Sequence, residues 1–247
     1  MKNLLFVLLV AISGTLFSQV TSIATQGGDI KLTPISHATM VWEWNDLTVF
    51  FDPTGGEEAF EGFRNPDVLF ITDIHGDHLN LETLEMLDLS QTTIIAPEEV
   101  LKSLEDVTNG EAISMKNGMT ISLRGMQIEA VPMYNLDKER QKFHPPGRGN
   151  GYVVDVAGTR IYVCGDTEDT PEMRQLRDID VAFICMNLPY TMTEESAASA
   201  VLEFEPKMVF PYHYRGADNV MSDPEKFKEI VVRANPEIEV VLLNWYP

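Results

Sequence analysis

The sequence predicts a mixed α/β fold organised as one large domain, and three observations lead there. The chain has 247 residues, 44% of them hydrophobic, enough to bury a sizeable core. Its first half reads mostly as short strands separated by turn signals, and its last third alternates strand and helix patterns. Both halves follow one plan, antiparallel strands and then strand–helix alternation. Two such halves can pack sheet on sheet with helices outside. Pattern alone supports only the mixed class.

The elements follow in order. Ile30 to Ile35, Thr39 to Trp44 and Leu47 to Phe51 read as strands, with a tight turn at Asn45-Asp46. Pro66-Asp67 opens a strand at Val68 to Thr72 that is apolar on both faces and therefore buried. A polar loop from Asp73 to Asn80 follows, then helical spacing of Leu and Met from Leu81 to Leu89. Thr92 to Ala96 is a strand, and Pro97 starts a helix through about Leu104. Asn109-Gly110 and Asn117-Gly118 are turn signals around short strands at Met119 to Leu123 and Gln127 to Val131. Residues Asn135 to Asn150 form a polar, Gly/Pro-rich loop long enough to suspect function. A hairpin, Tyr152 to Val156 and Arg160 to Cys164, turns at Ala157-Gly158. A short helix at Pro171 to Leu176 and a strand at Val181 to Met186 lead to a helix capped by Thr193. A strand at Lys207 to Pro211, a helix at Pro224 to Ala234 and a last strand at Ile238 to Leu243 complete the chain.

The N-terminus has the form of a signal peptide over residues 1–18: Lys2, an apolar run from Leu4 to Ile12, then small residues Ser13, Gly14 and Ser18. A buried first strand or helix is the competing reading. The polar stretch Thr21 to Asp29 favours the leader, and the run is shorter than the roughly 20 residues a bilayer span needs. The expected mature protein, residues 19–247, is exported to the periplasm or beyond and holds no membrane anchor. The net charge is −20, from 38 acidic and 18 basic residues. That disfavours nucleic acid, whose phosphates need Lys and Arg, and suits solubility. Cys164 and Cys185 sit in apolar strands, where an exported protein can join them or bury them as free thiols. No Cys-x-x-Cys pair suggests a thiolate metal site.

The densest chemical signal is Asp73-Ile74-His75-Gly76-Asp77-His78, four metal-ligand side chains within six residues at the end of a buried strand. Gly76 favours a tight turn there. The alternative is a polar loop that caps the following helix. The chain holds five histidines: His37, His75, His78, His144 and His213. One His at a strand end is an ordinary polar cap, whereas three or more aimed at one sheet edge make a site. Asp166, in Gly165-Asp166-Thr167, ends a strand, where a carboxylate can bridge two metals or simply form a turn.

Taken together, Asp-x-His-x-Asp-His, a later loop residue, Gly-Asp-Thr and a terminal His resemble the metallo-β-lactamase superfamily. Its ascorbate-phosphate lactonase-like branch is similar in Ser36-His37-Ala38, Phe51-Asp52-Pro53, Tyr162 to Thr167 and Val209 to His213. The resemblance runs from about Ile30 to Leu243. It implies a four-layer αββα sandwich and two divalent metal ions, zinc, manganese or iron. Asp73 and His75 would serve the first metal, Asp77, His78 and His213 the second, and Asp166 both. This chain departs from the family twice: Asp73 stands where His is usual, and Asn135 falls near the mid-chain ligand position. Both departures replace imidazole with oxygen donors, which favours harder metals. His144 can substitute as a ligand or meet substrate. The implied activity is hydrolysis of a small ester, lactone or phosphodiester by metal-activated water oriented by Asp77. His37, Asn135 and His144 are candidates for substrate contact or proton transfer, and Asp52 for support of the ligands. A true β-lactamase is disfavoured by Asp73 and Asn135. A non-catalytic metal- or ligand-binding protein on the same fold is the other alternative. The expected partner is a small molecule, and self-association is left open.

Overall fold

The computed structural model describes residues 20–104 and 110–246. The leader expected at 1–18 and Asn109 of the expected turn lie outside the described residues. The first sheet runs in simple chain order through β1 (Thr21–Ile23), β2 (Ile30–Ser36), β3 (Thr39–Trp44), β4 (Leu47–Phe51), β5 (Val68–Phe70), β6 (Thr93–Ala96) and β7 (Glu111–Ser114). β1 to β4 pair antiparallel, and β4 to β7 pair parallel. Helices α1 (Leu81–Met86) and α2 (Glu98–Leu104) make the crossovers that parallel pairing requires.

The second sheet repeats the plan. It comprises β8 (Thr120–Leu123), β9 (Met126–Met133), β10 (Gly149–Val156), β11 (Thr159–Val163), β12 (Val181–Cys185), β13 (Met208–Tyr212) and β14 (Glu239–Val240), again in chain order. β8 to β11 are antiparallel and β11 to β14 parallel, with α3 (Pro171–Arg174), α4 (Glu194–Phe204) and α5 (Pro224–Ala234) between the parallel strands.

Side-chain alternation shows how the layers stack. Val49 and Phe51 of β4, Val68 and Phe70 of β5 and Ile95 of β6 belong to the large core shared with the second sheet. Their neighbours Phe50, Leu69, Ile94 and Ala96 instead pack with Leu84, Val100 and Leu104 of α1 and α2. Period-two alternation thus gives the first sheet one helix-covered face and one sheet-covered face. The second sheet takes α4 and α5 on its outer side through Ala197, Val201, Phe227 and Val231. The architecture is the four-layer αββα sandwich. Thr193 caps α4 by accepting from the Ser196 amide at 3.1 Å, as its side chain predicts.

Two local differences from the sequence reading have simple causes. β1 and β7 lack a hydrophobic signature because each is a short edge strand. The last strand shrinks to Glu239–Val240 because β13 offers it only Met208 and Val209 as partners. Of the two alternatives open for the cysteines, the structure takes the free one: Cys164, just beyond β11, and Cys185, in β12, are buried thiols. Among the described residues, no helix is long and apolar enough to cross a membrane.

Candidate metal centre

The parallel halves of both sheets end on one edge, and the chemistry-bearing residues sit in the turns just beyond. Asp52 follows β4, Asp73 to His78 follow β5, Asp166 follows β11, Asn187 follows β12 and His213 follows β13. Strand ends on such an edge are where α/β sheets gather ligands. His37, Asp52 and His213 all hold positive φ, of 59°, 44° and 46°. Such left-handed backbone is costly for non-glycine residues and persists where its surroundings enforce it. Here the His213 amide donates to the His37 carbonyl (3.3 Å) and the His37 amide to Trp245 (3.1 Å).

Three groups of ligand atoms result, Asp73–His75–His144, His78–Asp166–His213 and His37–Asp77–His213, the last two sharing His213. In the second, His213 Nε2 lies 3.1 Å from His78 Nε2 and 3.3 Å from Asp166 Oδ1. It also lies 3.4 Å from Asp77 Oδ2, and His78 Nε2 is 3.6 Å from Asp166 Oδ2. Ligands of a tetrahedral ion with bonds of about 2.0–2.1 Å stand about 3.3–3.4 Å apart, so this spacing fits a bound metal. In the first group, Asp73 Oδ2 is 2.5 Å from His75 Nδ1, while His144 Nε2 is 3.9 Å from Asp73 and 3.3 Å from Asp166 Oδ2. His144 Nε2 and Asp166 Oδ1 are buried without a hydrogen-bond partner, as donors awaiting an ion would be.

Supporting contacts set the ring orientations. Asp52 accepts from His78 Nδ1 (2.8 Å), from the Thr72 amide (2.7 Å) and from the Thr72 hydroxyl (2.7 Å). This carboxylate fixes the imidazole with Nε2 turned to the site. The Tyr246 hydroxyl accepts from the Arg215 amide (3.0 Å) and donates to His37 Nδ1 (2.8 Å). His37 Nε2–H is then left to donate to Asp77 Oδ2 (3.1 Å). Burial pushes His37 down to about 4, so it performs this role as a neutral ring. Burial also depresses His78 and His213, yet the surrounding carboxylates of Asp52, Asp77 and Asp166 outweigh it and hold both above the ordinary range. Asp166 shows the converse: burial favours its neutral form, and the imidazoles of His213 and His78 keep it ionised.

Asn135 lies behind His144, 3.3 Å from Nδ1, and its amide nitrogen donates to the carbonyls of Arg140 (3.0 Å) and Tyr190 (2.7 Å), while its Oδ1 is buried with no hydrogen-bond partner. His144 Nε2 is the histidine atom that this loop brings to the first group. The loop is pinned by Glu168, whose Oε2 accepts from the amides of Leu136 (2.7 Å) and Asp137 (3.0 Å). Arg148 from the same loop, unmarked by any motif, grips Asp73, and Tyr246 near the C-terminus is a further contributor that the sequence does not single out.

Beside the two groups lies a cavity of about 260 Å³ lined by His75, Asp77, Phe143, His144, Asp166 and Tyr190. Phe143 and Tyr190 meet edge to face at 5.1 Å and form its apolar wall. A larger cleft of about 580 Å³ between Phe60 and Leu87 contains none of the three ligand groups, so chemistry rather than size identifies the site.

The glycines of the site differ from expectation. Gly76 does not need a left-handed backbone, and a Cβ there would touch nothing within 4 Å. Gly165 has φ of +64°, and a Cβ would stand 2.4 Å from Met133 Sδ and 3.2 Å from Thr72 Cβ. Gly76→Ala is therefore expected to keep wild-type metal content, whereas Gly165→Ala, which displaces Asp166, is expected to lose metal. Elemental analysis of both variants checks the pair, and the reverse order would refute the placement of Asp166.

The model of the β-lactamase superfamily domain matches residues 31–213. A UPF0173 metal-dependent hydrolase of Pyrococcus horikoshii is 30% identical over 87% of this chain and 96% of its own length. A second, from Methanopyrus kandleri, is 28% identical over 87% of this chain and 97% of its own. Among solved structures, a candidate metal-dependent hydrolase from Parabacteroides distasonis superposes with a TM-score of 0.82 at 37% identity. That match covers 93% of this chain and 100% of the other.

Proposed function

This chain belongs to the β-lactamase superfamily of metal-dependent hydrolases, and from that premise we propose that it cleaves a small ester, lactone or phosphodiester at a two-metal site. Asp73, His75 and His144 would hold the first ion, Asp77, His78 and His213 the second, and Asp166 both. This reading gives His144 the ligand role earlier considered for Asn135. The observation that carries it is the position of Asp166, with Oδ1 facing His213 and Oδ2 facing His144.

Divalent metal bound there would acidify water from a pKa of about 15.7 towards about 7 and polarise the bond to be cleaved. The chain's own residues do the rest. Asp77 is half-exposed to the cavity and, with the imidazoles of His78 and His213 beside it outweighing burial, stays ionised, so it can accept a hydrogen bond from water and orient it. His37 and Tyr246 hold it in place. Phe143 and Tyr190 exclude water from one wall and offer apolar contact to the organic part of a substrate. A cavity of about 260 Å³ suits a small molecule. The oxygen donors Asp73 and Asp166 at the first position favour manganese or iron over zinc. The apolar run and small residues of 1–18 support export, which fractionation of the host cell would check.

The test is elemental analysis of the purified protein, followed by assay of the reconstituted enzyme on aryl esters, lactones and bis(p-nitrophenyl) phosphate. About two ions per chain and turnover of one substrate class is the expected result. Two ions with no turnover of any of these classes would overturn the substrate assignment.

A further inference from the structure

We propose that Arg148 makes the two metal positions unequal, so that the second position fills before the first. The inference rests on the two-metal reading above.

Asp73 is fully buried. Its carboxylate is gripped by Arg148, whose Nε donates to Oδ1 (3.2 Å) and whose Nη2 donates to Oδ2 (3.1 Å), the oxygen that also faces His75 and His144. Such a two-pronged guanidinium–carboxylate contact is strong and fixed in geometry. The same Nη2 donates to the carbonyl of Phe143, the residue before His144, and lies 3.5 Å from His75 Nε2. One permanently charged group therefore touches the segments that supply Asp73, His75 and His144. Arg148 does not line the cavity beside the metal groups; it borders a separate cleft with Pro97, Glu98 and Lys116. Its role is thus towards the ligands and not towards substrate.

The consequence is electrostatic. Arginine cannot shed its charge in a protein. At the first position Asp73 is already neutralised, and a divalent ion arrives beside a resident cation. At the second position Asp77, Asp166 and, through His78, Asp52 face the ion, and the ion pairs found there involve only histidines. A like charge at this range in a buried site repels the incoming ion. Removing the charge should tighten the first position.

The experiment is manganese titration of metal-free protein by calorimetry, with stoichiometry read by elemental analysis, for wild type, Arg148→Gln, Arg148→Met and Arg148→Lys. Wild type should bind in two steps, the weaker at least about tenfold below the stronger, a gap of about 1.4 kcal/mol. Arg148→Gln, which keeps a donor for Asp73, should tighten the weaker step by about tenfold or more. Arg148→Met should do the same if it folds, and Arg148→Lys should leave the weaker step weak. One ion in wild type and two in Arg148→Gln would also support the inference, as its extreme case. Two equal steps in wild type, or a weaker step that Arg148→Gln leaves unchanged or loosens, would overturn the inference and leave the two-metal reading standing. A first position empty in every variant would overturn that reading and the inference with it.

Discussion

Asp166→Ala is expected to lose bound metal and hydrolysis together. Asp166 is the residue whose two oxygens face different groups, 3.3 Å from His213 on one side and 3.3 Å from His144 on the other. Changing residues behind metal ligands costs about 10–100-fold in affinity, so removing a carboxylate shared by two ions should exceed that range at both positions. Metal content should fall from about two to less than one ion per chain, and turnover to the uncatalysed background. Asp166→Asn, which keeps the shape but not the charge, should retain part of the metal. A fully metallated Ala variant would remove Asp166 from the ligand set whatever its activity.

Phe183→Ala should cause the largest loss of stability away from the site, about 3–5 kcal/mol. Phe183 is completely buried in β12. Its ring lies 5.0 Å from Phe210, 6.0 Å from Tyr212 and 6.3 Å from Trp245 within its own half, and 6.1 Å from Trp42 of β3 in the other sheet. Truncation would open a cavity where the sheets meet, and the aromatic neighbours are too rigid to fill it. Urea denaturation of metal-free protein measures the effect. A loss below about 1 kcal/mol would mean that this aromatic cluster does not hold the sheets together.

Much of the fold was legible because strands with one or two buried faces announce themselves. Ile30 to Phe51 matched its pattern almost residue for residue, and the turn at Ala157-Gly158 was marked by its glycine. Edge strands β1 and β7 were not legible, since a strand of three or four residues needs no hydrophobic period. At the site, Asp73 to His78 could be seen because the residues adjoin in the chain. The loop from 135 to 150 was visible as a candidate, but not which of its members turns inward. Asn135 and His144 are both buried, and only their packing shows that the amide nitrogen is spent on two carbonyls while its oxygen stays unpartnered and the imidazole reaches the ligand group. Arg148 and Tyr246 carried no local signal, because their partners lie 75 and 209 residues away in the chain.

The simple chain order of the two sheets has a consequence for assembly. Residues 21–114 complete one sheet and residues 120–240 the other, so every strand can pair with a neighbour in sequence before the halves meet. Short loop closures make such pairing rapid, and the joint between the halves is the long-range step. Asp73, His75, Asp77 and His78 come from one half, and His144, Asp166 and His213 from the other. An ion bound among them would be a clasp across that joint as well as a reagent. Binding the closed state, it would add to the cohesion that the shared core already gives the halves. Metal supply would then tune how firmly the two halves stay joined, before any substrate arrives.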